Sequence, residues 1–399
     1  MVWVSIVTGS GGLGLLAAPL VVFFLPWKRV FFLVDSSNFL FFLLRMMITA
    51  RIWVWGKSFL FLVVLLRSSV CFLMGDILSF FVVFEVIVFP IAIYIAIGKT
   101  GERTSAILFF ILYTLCTSIP FFVGLLWSFS SGVIGRFTLW VDYSVRWLFV
   151  VMIFMFIVKF PVFIIHGWLP RAHVEAPTLG SVLLASILLK LGSYGLLRLL
   201  VFCFIKFAQF TFAFSIFGAF IAGVVCFLQR DCKAFIAMSR VSHMRALWGG
   251  MVGSRGLITD PAVFVSVSHG FVAGCLFFCI GHLYESRASR SILVLREGWS
   301  LSTLLIRVWV LVCFMNAGLP PTLSFFGEVS VFQMVCSGVV VMRLVLVLSG
   351  IFGGIFSFRL FDWTSFQKEN KQGALFTEMW LLCVIFRLSI WNITLIFWS

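Results

Sequence analysis

The sequence predicts an all-α polytopic membrane protein of about thirteen transmembrane helices, within a range of twelve to fourteen. Three observations predict it. Hydrophobic residues make up 62% of the 399 and charged residues only 11%, with a mean hydropathy of +1.18, far outside the composition of a soluble domain. The apolar residues come in runs close to the ~20 needed to cross a hydrocarbon core of roughly 30 Å. The charges gather between runs, at Lys28-Arg29, Lys99 to Arg103, Arg230 to Lys233 and Arg287 to Arg296, where they meet headgroups and signal topology. The excess of 29 basic over 14 acidic residues therefore reads as loop charge facing membrane lipids, and no nucleic-acid partner is expected.

Spans are expected near 2–25, 30–50, 52–75, 77–97, 104–129, 147–169, 177–203, 207–228, 233–252, 260–283, 301–333 (broken), 336–360 and 375–398. The first lacks a basic leader and a small-residue cleavage site, so it reads as a retained span. Between 30 and 75 the apolar pattern is interrupted by Arg45, Arg51, Lys57 and Arg67. Connections are short, the most polar being 285–300 and 362–373, which implies one helical bundle. Two spans are broken by proline near an ionisable residue: Pro161 follows Lys159 by two residues, and Pro320-Pro321 precede Glu328 by about two helical turns. Proline deletes a backbone hydrogen bond, and carbonyls freed in lipid must be satisfied by protein or water. A broken helix in each half of a chain points to an inverted-repeat transporter with ion sites near the bilayer midplane.

Ionisable residues inside spans carry the functional signal. Lys159 in FMFIVKFPVFII and Lys190 in SVLLASILLKLGSYGLL each sit deep in apolar sequence, where an ammonium costs about 2.5–3.5 kcal/mol on insertion scales. Glu85 in FFVVFEVIVFP is equally deep. Such groups could neutralise one another simply to hold helices together. Four of them, Glu85, Lys159, Lys190 and Glu328, favour ion translocation, with each changing protonation as its partner's charge changes. His243 and His269 fall in consecutive spans between Lys190 and Glu328, as a proton relay requires, while His166 and His173 flank a Trp168-Leu169-Pro170 turn and His282 lies at a span end. Ten cysteines are scattered singly without a CxxC pair or a Cys/His cluster, so no iron–sulfur or zinc site is expected. No phosphate-binding glycine loop or nucleophile elbow occurs either, so the chain is expected to move charge without redox or covalent chemistry of its own.

Residues 159–198, KFPVFIIHGWLPRAHVEAPTLGSVLLASILLKLGSYGLLR, resemble the signature of the antiporter-like membrane subunits of proton-pumping NADH:quinone oxidoreductase, respiratory complex I. Further blocks agree in order: GERTSAILFFILYTLCTSIP, LQRDCKAFIAMSRVSHM at 228–244, SHGFVAGCLFFCIGHLYESRASRS at 268–291 and LPPTLSFFGEVSVF at 319–332. The resemblance implies that Glu85 pairs with Lys159 on a broken helix, that Lys190 is the central proton carrier, and that His243 and His269 lead to Glu328 on a second broken helix. It also implies three parts: shortened, divergent N-terminal helices at 1–75, a first antiporter-like half at 76–203, and a second half with the C-terminal helices at 204–399. The implied setting is the mitochondrial inner membrane, beside other membrane-arm subunits of the subunit 2 and subunit 5 kinds. The FMN, iron–sulfur clusters and ubiquinone of the complex would lie in other chains. The 51 phenylalanines fit T-rich organellar coding, and organelle encoding is expected. A multi-subunit cation/proton antiporter, and a non-conducting assembly scaffold, are the alternatives. Two departures stand out. Residues 30–67 match none of the family's blocks, and Arg240 and Arg245 flank His243 where the family carries small or apolar residues. These cations are expected either to lower the histidine's proton affinity or to contact lipid or a neighbouring subunit.

Overall fold

A computed structural model describes residues 59–98, 101–130, 146–161, 165–200, 208–253, 260–287, 289–292, 303–320, 322–336 and 340–365. The expected spans at 2–25, 30–50 and 375–398, the start of the 52–75 span, and Pro321 lie outside the described residues. Five helices within them are long and apolar enough to cross a membrane: Ile77–Ala96, Arg103–Ser130, Thr178–Leu199, Ala262–Tyr284 and Arg343–Asp362.

In chain order the helices are α1 (Phe59–Leu73), α2 (Ile77–Ala96), α3 (Arg103–Ser130), α4 (Arg146–Lys159), α5 (Trp168–Glu175), α6 (Thr178–Leu183) and α7 (Leu189–Leu200). They continue as α8 (Ala208–Phe227), α9 (Cys232–Gly253), α10 (Asp260–Arg287), α11 (Thr303–Asn316), α12 (Leu323–Cys336) and α13 (Val340–Ser365). A π turn, Leu184–Leu188, joins α6 to α7 into one continuous rod. That rod is the centre of the bundle, with 94% of its apolar window buried against 33% for Arg103–Ser130 and for Arg343–Asp362. The outer helices turn large apolar side chains outward, among them Leu112, Ile119 and Val123 on α3 and Leu344, Leu348 and Ile355 on α13, as lipid-facing surfaces require.

Both proline breaks are present, and their carbonyls have partners. α4 stops at Lys159, a 3₁₀ turn follows at Ile165–Gly167, and α5 starts at Trp168. Across this gap the Trp168 indole N–H donates to the Val158 carbonyl at 3.2 Å. α11 stops at Asn316 and α12 starts at Leu323; there the Ser324 hydroxyl donates to the Met315 carbonyl at 2.9 Å and the Thr322 hydroxyl to Leu319 at 2.6 Å. By contrast Pro90 and Pro120 lie within α2 and α3 without ending them. One expectation is corrected here. Trp168-Leu169-Pro170 is not a turn between two histidines but the first turn of α5, where a proline is tolerated because the first backbone N–H groups of a helix have no intrahelical acceptor.

One end of the bundle is pinned by polar contacts among loops. Lys233 at the start of α9 donates to the Ala176 carbonyl at 2.8 Å, and Arg290 lies 3.9 Å from the Glu175 carboxylate. An isolated antiparallel bridge joins Asp231 to Ser291. Gly98 presses against the Glu175 carbonyl so closely that a Cβ would collide with it.

Candidate functional site

Glu85 on α2 and Lys159 at the end of α4 form a direct ion pair, with the lysine side chain 1% exposed and the glutamate 18%. Three features offset the burial of the ammonium. The carboxylate neutralises it, the Phe84 ring lies 3.8 Å beneath it, and the last carbonyls of α4 present the negative end of the helix dipole. Gly192 on α7 packs against the Lys159 backbone, and Gly195 one turn later against the Phe156 ring. These two glycines let α4 lie directly on the central rod that carries the second lysine.

Lys190 is fully buried, two residues after the π turn, and its ammonium is directed at the Met244 sulfur on α9, 3.9 Å away. A thioether is a weak acceptor. No carboxylate among the described residues lies within ion-pair distance of Lys190. Among the described residues, then, no carboxylate fixes its charge.

The third part is a cavity of about 50 Å³ of water-accessible space between α9, α10, α11, α12 and α13. Its lining includes His243, His269, Glu328, Asn316 and the hydroxyls of Ser242, Ser268 and Ser324. That exceeds the roughly 10–15 Å³ needed to hold a water, and the polar side chains give such a water partners. His243 Nδ1 lies 3.5 Å from a Glu328 oxygen, and the His243 and His269 ring centroids are 5.9 Å apart. Three of the residues singled out in the sequence thus line one cavity, His269 on α10, His243 on α9 and Glu328 on α12.

Gly318 forms the floor beneath Glu328. It adopts φ +64°, and a Cβ there would lie 2.7 Å from the second carboxylate oxygen. Gly318→Ala is therefore expected to destabilise the second break by about 1–2 kcal/mol from the left-handed backbone alone. It should also push the carboxylate off His243, which a lowered unfolding temperature and a weakened His243–Glu328 coupling in a double-mutant cycle would register. An alanine variant with parental values of both would contradict this reading.

The two arginines of α9 contact neither lipid nor a neighbour; both are buried within this chain. Arg245 donates from Nε to the Pro161 carbonyl at 3.1 Å and from Nη1 to the Gly218 carbonyl of α8, so it caps the first helix break. Arg240 donates to the His269 carbonyl at 3.0 Å, with the same Nη1 3.5 Å from His269 Nε2. Within six residues, then, α9 touches His269 through Arg240, Glu328 through His243, Lys190 through Met244 and the Lys159 break through Arg245. Sequence reasoning missed Met244, Gly318 and the π turn. An apolar methionine carries no signal, whereas the arginines stood out as cations in a span. Among the described residues no group of three His, Cys, Asp or Glu side chains could hold a metal ion.

Residues 74–357 match the family described as NADH:quinone oxidoreductase/Mrp antiporter, TM. A NADH-ubiquinone oxidoreductase chain 4 from Rhipicephalus sanguineus is 34% identical over 279 residues, covering 68% of this chain and 64% of the relative. The protein of the same description from Strongylocentrotus purpuratus is 31% identical over 348 residues, covering 81% of this chain and 72% of the relative. The chain thus spans just under two thirds of the first relative's length and somewhat more of the second's. Among solved structures, respiratory complex I from Thermus thermophilus with bound NADH contains a chain that superposes with a TM-score of 0.81 at 23% identity, covering 91% of this chain and 82% of that one. The Mrp complex from Dietzia sp. DQ12-45-1b gives 0.75 at 18% identity, covering 86% and 69%. Both structural likenesses are of fold. With the family matched over most of its length, the chain belongs to the NADH:quinone oxidoreductase/Mrp antiporter transmembrane family.

Proposed function

We propose that this chain is a proton-translocating membrane-arm subunit of respiratory complex I, of the chain 4 type, in the mitochondrial inner membrane. What supports the reading is the series of ionisable groups within the bundle, from the Glu85–Lys159 pair through Lys190 to His269, His243 and Glu328 around a cavity lined in part by polar side chains. Electron transfer from NADH through FMN and iron–sulfur clusters to ubiquinone would take place in other subunits. This chain would supply only proton carriage beside its antiporter-like neighbours.

The mechanism is electrostatic. With Glu85 closed on Lys159, the carboxylate holds that ammonium charged; when the pair opens, the field at Lys190 changes and with it that group's proton affinity. Lys190 then releases its proton toward His269, and the cavity carries it past His243 to Glu328. Each step moves one proton between named atoms and needs no bond to carbon.

Lys190→Ala is the test, because a neutral methyl group cannot carry a proton. In the assembled complex the variant is expected to keep NADH oxidation by an artificial acceptor and to lose the proton pumping assigned to this subunit. Unchanged pumping per NADH oxidised would remove the proposal and leave the scaffold reading. Sodium/proton exchange in membranes without NADH dehydrogenase activity would favour the antiporter complex instead.

A further inference from the structure

Arg240 is a guanidinium buried to 1% exposure in the core of a membrane bundle. It has no carboxylate partner among the described residues, and its Nε and Nη2 find no acceptor there. A guanidinium cannot shed its proton to escape that burial, and uncompensated buried charge is costly. The Phe277 ring at 5.8 Å compensates only in part. The charge is placed within electrostatic range of two members of the proposed pathway, Lys190 and His269. Among the described residues its polar contacts are with His269, whose carbonyl accepts from Nη1 at 3.0 Å and whose Nε2 faces the same nitrogen at 3.5 Å.

Guanidinium nitrogens only donate. A donor facing Nε2 at 3.5 Å favours the neutral tautomer that leaves that nitrogen bare and carries its proton on Nδ1. Any proton arriving at His269 while Nδ1 is occupied must enter at Nε2, the position that Arg240 faces. A doubly protonated ring beside Arg240 would place two cations and two opposed donors face to face.

We propose that Arg240 is a positioning residue that gates proton transfer at His269, an inference that rests on the proton-carrying role proposed above. With Arg240 seated, His269 is locked in one tautomer and passes nothing. When the guanidinium swings off Nε2, an N–H bond breaks at Lys190 Nζ and one forms at His269 Nε2. The Nδ1–H bond then breaks, and its proton goes to a water of the cavity or to His243. The product ring carries its proton on Nε2 and cannot accept Arg240 again until that proton is redistributed, so each opening passes one proton. The charged and titratable groups facing His269 are Lys190 from the central rod, Arg240 and His243 from α9, and Glu328 from α12 across the cavity.

The experiment measures two quantities on the assembled complex in sealed vesicles: passive proton conductance under an imposed pH gradient without NADH, and pumping with NADH. Arg240→Met is expected to raise passive conductance by at least about tenfold, since a unit charge a few ångströms away is removed from a transfer step. That excess should grow as the pH falls, since one cation fewer then opposes a second proton on the ring. Arg240→Lys, which keeps a cation, should hold conductance near the parental value. Arg240→Gln, which keeps a donor for the His269 carbonyl without the charge, should leak. His269→Phe added to Arg240→Met should abolish the excess.

Parental conductance in Arg240→Met, or an excess that survives the double substitution, overturns the gate; if Arg240→Met does not assemble, Arg240→Gln with and without His269→Phe decides in the same way. The reading beneath it fails separately. If Lys190→Ala pumps normally, proton carriage by this chain is lost whatever the leak, whereas a silent Lys190→Ala with a tight Arg240→Met sinks the gate alone.

Discussion

Glu85→Gln or Lys159→Met alone is expected to destabilise the assembled subunit by about 3–5 kcal/mol, the cost of leaving one buried charge without its partner. The double substitution Glu85→Gln/Lys159→Met is expected to recover most of that loss, because a buried pair replaced by neutral groups of similar volume is close to neutral in stability. Pumping should not recover with it. Thermal inactivation of the three solubilised variants forms a double-mutant cycle, with a coupling energy above the roughly 0.5–3 kcal/mol range typical of contacting residues. A double variant as unstable as the two singles added together would show that the pair is not the energetic unit described. A double variant that pumps would show that the pair is not a switch.

The second large effect is expected at Arg245. Its guanidinium serves two carbonyls at once, Pro161 in the first helix break and Gly218 on α8, and hydrogen bonds to a charged group contribute about 1.5–3 kcal/mol each. Arg245→Leu should therefore cost on the order of 3 kcal/mol or more, with both carbonyls left facing apolar side chains. Lysine in its place has a single nitrogen and should hold only one of the two, so Arg245→Lys should lie midway between leucine and the parent. The abundance of the assembled complex on native gels and its inactivation temperature would check the order. Equal values for arginine and leucine would mean that the break is closed by something other than this cap.

Among the described residues several span boundaries and both helix breaks were legible in the sequence because their causes are local: apolar run length for the one, a proline beside an ionisable residue for the other; the last described helix, Val340–Ser365, runs five residues past its expected end. α2 and α8 begin and end within one residue of the expected limits. Glu85, Lys159, Lys190, His243, His269 and Glu328 were legible for a related reason, since charge in an apolar run is rare enough to stand out. What faces them was not. Met244 reaches Lys190 across 54 residues, and Arg240 reaches His269 across 29; both contacts follow from how α9 is rotated against its neighbours, which no window of sequence contains. The Trp168–Pro170 segment was misread because Trp, Pro and the flanking histidines suggest a turn, while the packing of Trp168 under the Val158 carbonyl lets helix begin there. For the arginines the sequence left two readings open, an effect on the histidine or a contact with lipid or a neighbour, and burial between α8, α10 and the first break removes the second.

The cap on the first break also bears on how the chain enters its membrane. Arg245 lies 84 residues after the carbonyl it covers. At a synthesis rate of about 5–20 residues per second, roughly 4–17 s separate the emergence of Pro161 from that of its partner. Throughout that interval α4 and α5 are available for insertion with the Pro161 carbonyl between them not yet capped by Arg245, and Lys159 can already meet Glu85, made 74 residues earlier. The ion pair can therefore form before the break beside it is closed. The order of synthesis sets the switch first and secures its hinge afterwards, so the half-made chain depends on water or the insertion machinery to shield that carbonyl until α9 arrives.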